Sequence, residues 1–136
     1  MKMGKLVIAA VMLLLLAAGC NNGTGSLSEE HTRYLAKFGW HAAKLEHEST
    51  EVISYAPELL EGLRSAGIEL APYNNKEVTV TVYVLQQKQR DGKRMYATLY
   101  ESDGKLIGGH GTMEQWDPGY FRLDDKDGMI AKHLLK

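Results

Sequence analysis

From Glu77 to Leu85 apolar and polar side chains alternate without a break. Val78, Val80, Val82 and Val84 stand on one parity, and Thr79, Thr81 and Tyr83 on the other. A period of two is the mark of a β-strand, and the β-branched composition suits it. After a polar, basic stretch around Arg90, Asp91 and Gly92, alternation resumes from Arg94 to Glu101, with Met95, Ala97 and Leu99 opposite Tyr96, Thr98 and Tyr100. Asp103-Gly104 is a tight-hairpin pair, because both central positions of the favoured turn need φ > 0. Lys105 to Met113 is then the return strand, loosened by Gly108, Gly109 and Gly111. The three runs predict a three-stranded antiparallel meander.

Upstream the period changes. Ser28 followed by Glu29 and Glu30 reads as an N-cap with acids in the first helical turn. Tyr34, Leu35 and Phe38 fall on one face of that helix, and Gly39 stops it. Pro57 suits the first turn of a second helix that turns Leu59, Leu60 and Leu63 inward and ends at Gly67. Between the two, Glu51 to Tyr55 reads as strand, while Trp40 to Leu45 fits a strand or a helical turn equally well. Asp117-Pro118-Gly119 is a turn signal and Tyr120 to Leu123 a short strand. No element is assigned to the acidic turn at 124–128 or to Met129–Lys136. The fold class expected is α+β: two helices packed on one face of a mostly antiparallel sheet, with the valines of Glu77–Leu85 toward the helices.

The N-terminus has a different pattern. Lys2 and Lys5 precede an unbroken apolar run from Leu6 to Ala18, 13 residues long. Charged n-region, short apolar h-region and small residues (Ala17, Ala18, Gly19) are the layout of a secretory signal peptide. A spanning helix needs about 20 apolar residues, so a transmembrane anchor is disfavoured. The run closes as Leu16-Ala17-Ala18-Gly19-Cys20, which resembles the lipobox of bacterial lipoprotein precursors. The resemblance implies cleavage between Gly19 and Cys20 and a diacylglycerol on the Cys20 thiol. Two acyl chains give membrane binding on the order of 20 kcal/mol before losses, at about 0.8 kcal/mol per buried methylene.

Cleavage would leave 117 of the 136 residues. Residues 20–28 would be the lipidated cysteine and a polar tether; Asn21 to Ser28 reaches about 16 Å r.m.s. as a flexible chain. A single α+β domain would occupy 29–136. Cys20 is the only cysteine, so no intrachain disulfide can form. Without Lys2 and Lys5 the count is 14 basic against 17 acidic side chains, a charge near −3 with neutral His. Such a balance offers nucleic acid no basic face.

The stretch from Tyr34 to Gly109 is similar to a family of small Gram-positive lipoproteins known only as a domain of unknown function. The likeness lies in Phe38-Gly39-Trp40, in the acidic-to-β run that ends before Pro57, and in Gly67-Ile68-Glu69-Leu70 with Tyr73. It continues in the Tyr83-centred strand and in Gly104 to Gly109. The family places an acid where His110 stands here, and the C-terminal tail also departs from it. The resemblance implies no activity.

Candidate chemistry is sparse. His110, in Gly108-Gly109-His110-Gly111, has the surroundings of a general base with close backbone approach to a ligand; a bulged strand whose glycines relieve crowding is the plainer reading. His41 and His47 are six apart, so they share no helical face, and no closed ligand set forms around them with Glu46 and Glu48. Asp124, Asp125, Asp127 and Gly128 miss the calcium-loop spacing, since Gly128 at the sixth place puts Leu123 first and Leu134 last. No cofactor or metal is expected. Lys88, Arg90, Lys93 and Arg94 cluster at a hairpin tip, where they can keep the tip soluble or touch anionic lipid or wall polymer. Trp40, Trp116, Tyr120 and Phe121 would mark a partner surface if exposed together, and core if not. The function expected is a non-catalytic binding module, lipid-anchored on the extracytoplasmic side of the cell membrane, whose partners are the membrane itself and an envelope protein or wall polymer. An envelope enzyme using His110, or a small-ligand carrier, is the alternative.

Overall fold

The computed structural model describes residues 27–117 and 119–136. The signal-like run, Gly19, Cys20 and most of the tether therefore lie outside the described residues, as does Pro118 in the turn expected there. Ten elements follow in order: α1 (Glu29–Lys37), β1 (Ala42–Val52), α2 (Pro57–Ser65), a 3-10 turn (Ala71–Tyr73), β2 (Glu77–Lys88), β3 (Arg94–Ser102), β4 (Lys105–Met113), β5 (Tyr120–Phe121), a second 3-10 turn (Leu123–Asp125) and α3 (Lys126–Ala131). The strands form one antiparallel sheet in the order β1-β2-β3-β4-β5.

The meander β2-β3-β4 is present, and Asp103 and Gly104 take φ of 53° and 74° at its tight turn. Ser28 caps α1, its Oγ accepting from the His31 N–H at 3.2 Å. Three expectations need correction. Three helices are present among the described residues, not two. The expected strand Glu51–Tyr55 keeps only Glu51 and Val52, as the end of an 11-residue edge strand, β1, which also takes in Ala42 to Leu45 of the ambiguous run. The helices cover both faces of the sheet, not one.

The last correction follows from the side chains. Tyr83, Leu85, Met95, Ala97 and Leu99 share one core with Leu35 of α1, Met129 of α3, Trp40 and Phe121. Val78, Val80 and Tyr100, of the opposite parity, share a second core with Leu63 of α2, Ile53, Ile68 and Leu70. Both parities of β2 and β3 are bulky and apolar, so both faces must be covered from water. Only the first two valines meet α2, and β3 rather than β2 is the central strand.

Candidate functional site

One corner of the molecule joins four separate pieces of chain. Gln89, just past the end of β2, is 4% exposed. Its amide donates to the carbonyls of Arg94 and Glu114, both at 3.0 Å, and its Oε1 accepts from the Trp116 indole N–H at 3.0 Å. The C-terminal tail closes the corner: Arg90 N–H donates to the Leu134 carbonyl at 2.9 Å and Lys136 N–H to the Lys88 carbonyl at 3.0 Å. Trp116 is thus held by a buried amide yet is 53% exposed. Its ring borders a shallow pocket of about 450 Å³, together with Gln89, Arg90, Asp91, His133 and Leu134.

Two backbone outliers belong to the pocket's segments, one next to Trp116 in the chain and one in the lining. Gln115 has φ 70° and His133 φ 59°. His133 ends α3: its N–H donates to the Ile130 carbonyl at 2.9 Å and the next N–H, of Leu134, to the Met129 carbonyl at 3.0 Å. This is a Schellman ending, whose left-handed position is normally Gly. An L-residue there costs on the order of 1 kcal/mol.

The basic tip belongs to the same corner, but its charge is partly spent. Lys93 Nζ lies 2.7 Å from Asp91 Oδ2 and Arg94 Nη2 3.5 Å from Glu114 Oε2. The Lys93 ammonium holds the Asp91 carboxyl below the usual range, and the Arg94 main-chain N–H and guanidinium do the same for Glu114. Lys88 and Arg90 make no ion pair among the described residues.

The corner sits far from the start of the domain. His31 on α1 meets Tyr83 Oη at 2.7 Å through Nδ1 and lies 3.4 Å from Glu101 Oε1 through Nε2. Glu101 is near the far end of β3, and Arg94 opens that strand at the tip. Along β3, Arg94 stands seven positions from Glu101 and three from Ala97, the partner of Tyr83, about 23 and 10 Å. The start of α1 therefore lies between the middle of the sheet and the end away from Trp116 and the basic tip.

The remaining sequence candidates are dispersed. His110 faces the α2 side, 3% exposed. Its Nδ1–H donates to the Gly111 carbonyl at 3.0 Å, which leaves Nε2 to accept from Tyr100 Oη at 3.1 Å. Burial lowers the His110 pKa, and burial raises that of Tyr100. The adjoining glycines serve the core. A Cβ on Gly111 would run into the Phe121 ring, one on Gly109 into Thr98 and Leu99, and one on Gly108 would come 2.6 Å from Ile68 Cδ1.

His41 pairs with Gln87 at 3.1 Å, and His47 lies on β1 opposite Val82. Among the described residues no group of three His, Cys, Asp or Glu could hold a metal. Asp124 is bound twice by Arg122, at 2.9 Å each, which holds its carboxyl below the usual range, and 123–128 winds into α3 rather than a loop. The four large aromatics split. Trp40 is buried, its indole N–H on the Leu123 carbonyl at 2.8 Å, and Phe121 packs beside it. Tyr120 is exposed elsewhere, where it borders a groove of about 530 Å³ along α2 with Glu58, Leu59, Gly62, Ser65 and Ala66.

Sequence reasoning missed Gln89, His133 and His31. Only His31 carries a local signal, one helical turn before Leu35. No family model, no curated protein and no solved structure matches this chain. No helix among the described residues is long and apolar enough to cross a membrane.

Proposed function

We propose that the chain is a lipid-anchored extracytoplasmic binding module that presents its Trp116 corner to an envelope component. The observation that carries the proposal is the N-terminal pattern: Lys2 and Lys5, the apolar run Leu6 to Ala18, then Leu16-Ala17-Ala18-Gly19-Cys20. The placement of the corner supports it. A tether reaching about 16 Å would join α1 beside Tyr83 and Glu101, leaving the corner free at the tip end of the sheet, about 10–23 Å along β3 from those contacts. With Lys93 and Arg94 paired to acids, the tip is better suited to a specific partner than to a broad anionic lipid surface. His110, with both ring nitrogens engaged inside the protein, weighs against a catalytic role for that residue. The groove along α2 favours a small-ligand carrier as the second reading.

The test is photo-cross-linking in living cells from two positions, Lys93 at the tip and Val52 at the opposite end of the sheet. The proposal expects a discrete envelope adduct from position 93, absent from 52 and lost in Cys20→Ala. Identical adducts from both positions would contradict it.

A further inference from the structure

We infer that the Trp116 corner is a binding site for a pyranose sugar that carries a negative charge, the kind of unit from which acidic envelope glycans are built. The envelope reading supplies only the source of the sugar; the site stands on its own geometry.

The first feature is the platform. An indole ring half in water, yet fixed through its N–H to a buried glutamine, is an aromatic face held ready for contact. The C–H faces of a pyranose are weakly electropositive and pack flat on the electron-rich face of such a ring. The second feature is the rim. Asp91, Arg90 and His133 surround the ring with planar polar groups, which suit the paired hydroxyls of a sugar better than an apolar partner. Asp91 accepts from the Lys93 main-chain N–H at 3.0 Å and its ammonium at 2.7 Å, and a carboxylate with about four lone-pair sites keeps capacity for sugar hydroxyls.

The third feature sets the charge of the ligand. Arg90 alone among the pocket residues brings a cation that no acid pairs with among the described residues, and a guanidinium fork binds carboxylate or phosphate in two-point fashion. The fourth is position. The Schellman ending of α3 sets His133 in left-handed backbone at the pocket's edge, which fixes where its ring stands. The volume, about 450 Å³, lies within the range of small-ligand sites.

The test uses the full chain in detergent micelles with two sugars that share a ring. N-acetylmuramic acid carries a carboxylate that N-acetylglucosamine lacks. Trp40 is buried and Trp116 exposed, so the red part of the tryptophan emission reports the corner. The acid should shift that emission saturably and bind about tenfold more tightly than the neutral sugar. Arg90→Gln should bring the two affinities together. Trp116→Ala should abolish binding of both, read by saturation-transfer NMR of the sugars, while Trp116→Phe keeps a weak remnant. Retained blue emission from Trp40 certifies the fold of each variant. No saturable binding by the wild type, binding indifferent to Trp116→Ala, or equal affinities unaffected by Arg90→Gln would each overturn the inference. So would a Trp116 shift in the Cys20→Ala full chain caused by anionic phospholipid vesicles and not by sugar. A chain that binds the sugar but carries no lipid in cells would refute the anchoring proposal and leave the site standing.

Discussion

Replacing Gly111 by Ala puts one methyl group where the Phe121 ring lies. Gly111 pairs with Ala97 on β3 and with Phe121 on β5, and its missing side chain points into the core shared with α1 and α3. A Cβ there would fall inside the contact distance of Phe121 Cζ, Cε1 and Cε2. The ring has little room to withdraw, because Trp40 is 5.4 Å away between centroids and Ala97 is fully buried. If β4 shifts to admit the methyl, overpacking costs about 1–3 kcal/mol. If the ring swings out, the loss approaches the ~3–5 kcal/mol of removing a buried Phe. The expected destabilisation is therefore about 2–4 kcal/mol. At a urea dependence of roughly 1.5 kcal/mol per molar, the unfolding midpoint, followed by Trp40 fluorescence, falls by about 2 M. In a Phe121→Leu background the same substitution should cost less than about 1 kcal/mol, and the difference is the coupling between the two positions. A Gly111→Ala protein as stable as the wild type, or one with the same cost in both backgrounds, would refute the account of the glycine motif.

Other consequences follow from buried polar groups and strained backbone. Thr81 Oγ1 is buried without a hydrogen-bond partner among the described residues, so Thr81→Val should stabilise the fold by about 1 kcal/mol in urea unfolding. His133→Gly should raise stability by about 0.5–1 kcal/mol through relief of the left-handed position, and should weaken sugar binding at the same time, which calorimetric unfolding and the sugar titration read separately. His110 has its pKa lowered by burial from the ordinary 6.5, so its contribution to stability is fully present above that pH. It is lost as pH falls toward the native pKa, because the unfolded chain takes up a proton that the native state refuses, at up to ~1.4 kcal/mol per pH unit. The stability difference between wild type and His110→Gln, measured at pH 7.5 and at lower pH, should shrink on acidification; a constant difference would contradict the assignment.

The meander, its Asp103-Gly104 turn and the ends of α1 and α2 were legible because each rests on local chemistry: alternation, φ > 0 residues and caps. β1 was not, for a physical reason. Its register shifts between Ala42 and Lys44 and again between Leu45 and His47, and each bulge resets the period of two that marks a strand. α3 has six residues, too few for a helical period to show, and contains Gly128. The two-sided sheet was written in the sequence, since Tyr83 and Leu85 put bulky, largely apolar side chains on the parity opposite the valines, but the alternation of Val with Thr marks only one face as apolar. The candidate corner was half legible. The basic tip and Trp116 were visible one by one, whereas their union depends on Gln89 bonding to residues 94, 114 and 116 and on the tail returning to β2. Nothing in a linear reading brings those segments together.

The central claim is that Cys20 anchors the domain by lipid outside the cytoplasm. Metabolic labelling of expressing cells with a radioactive fatty acid, followed by affinity purification of the wild type and of Cys20→Ser, tests it most directly. The account predicts label on the wild type, membrane fractionation and a mature chain beginning at Cys20, with Cys20→Ser unlabelled. An unlabelled wild type, or a wild type retaining Met1 to Gly19, would contradict it.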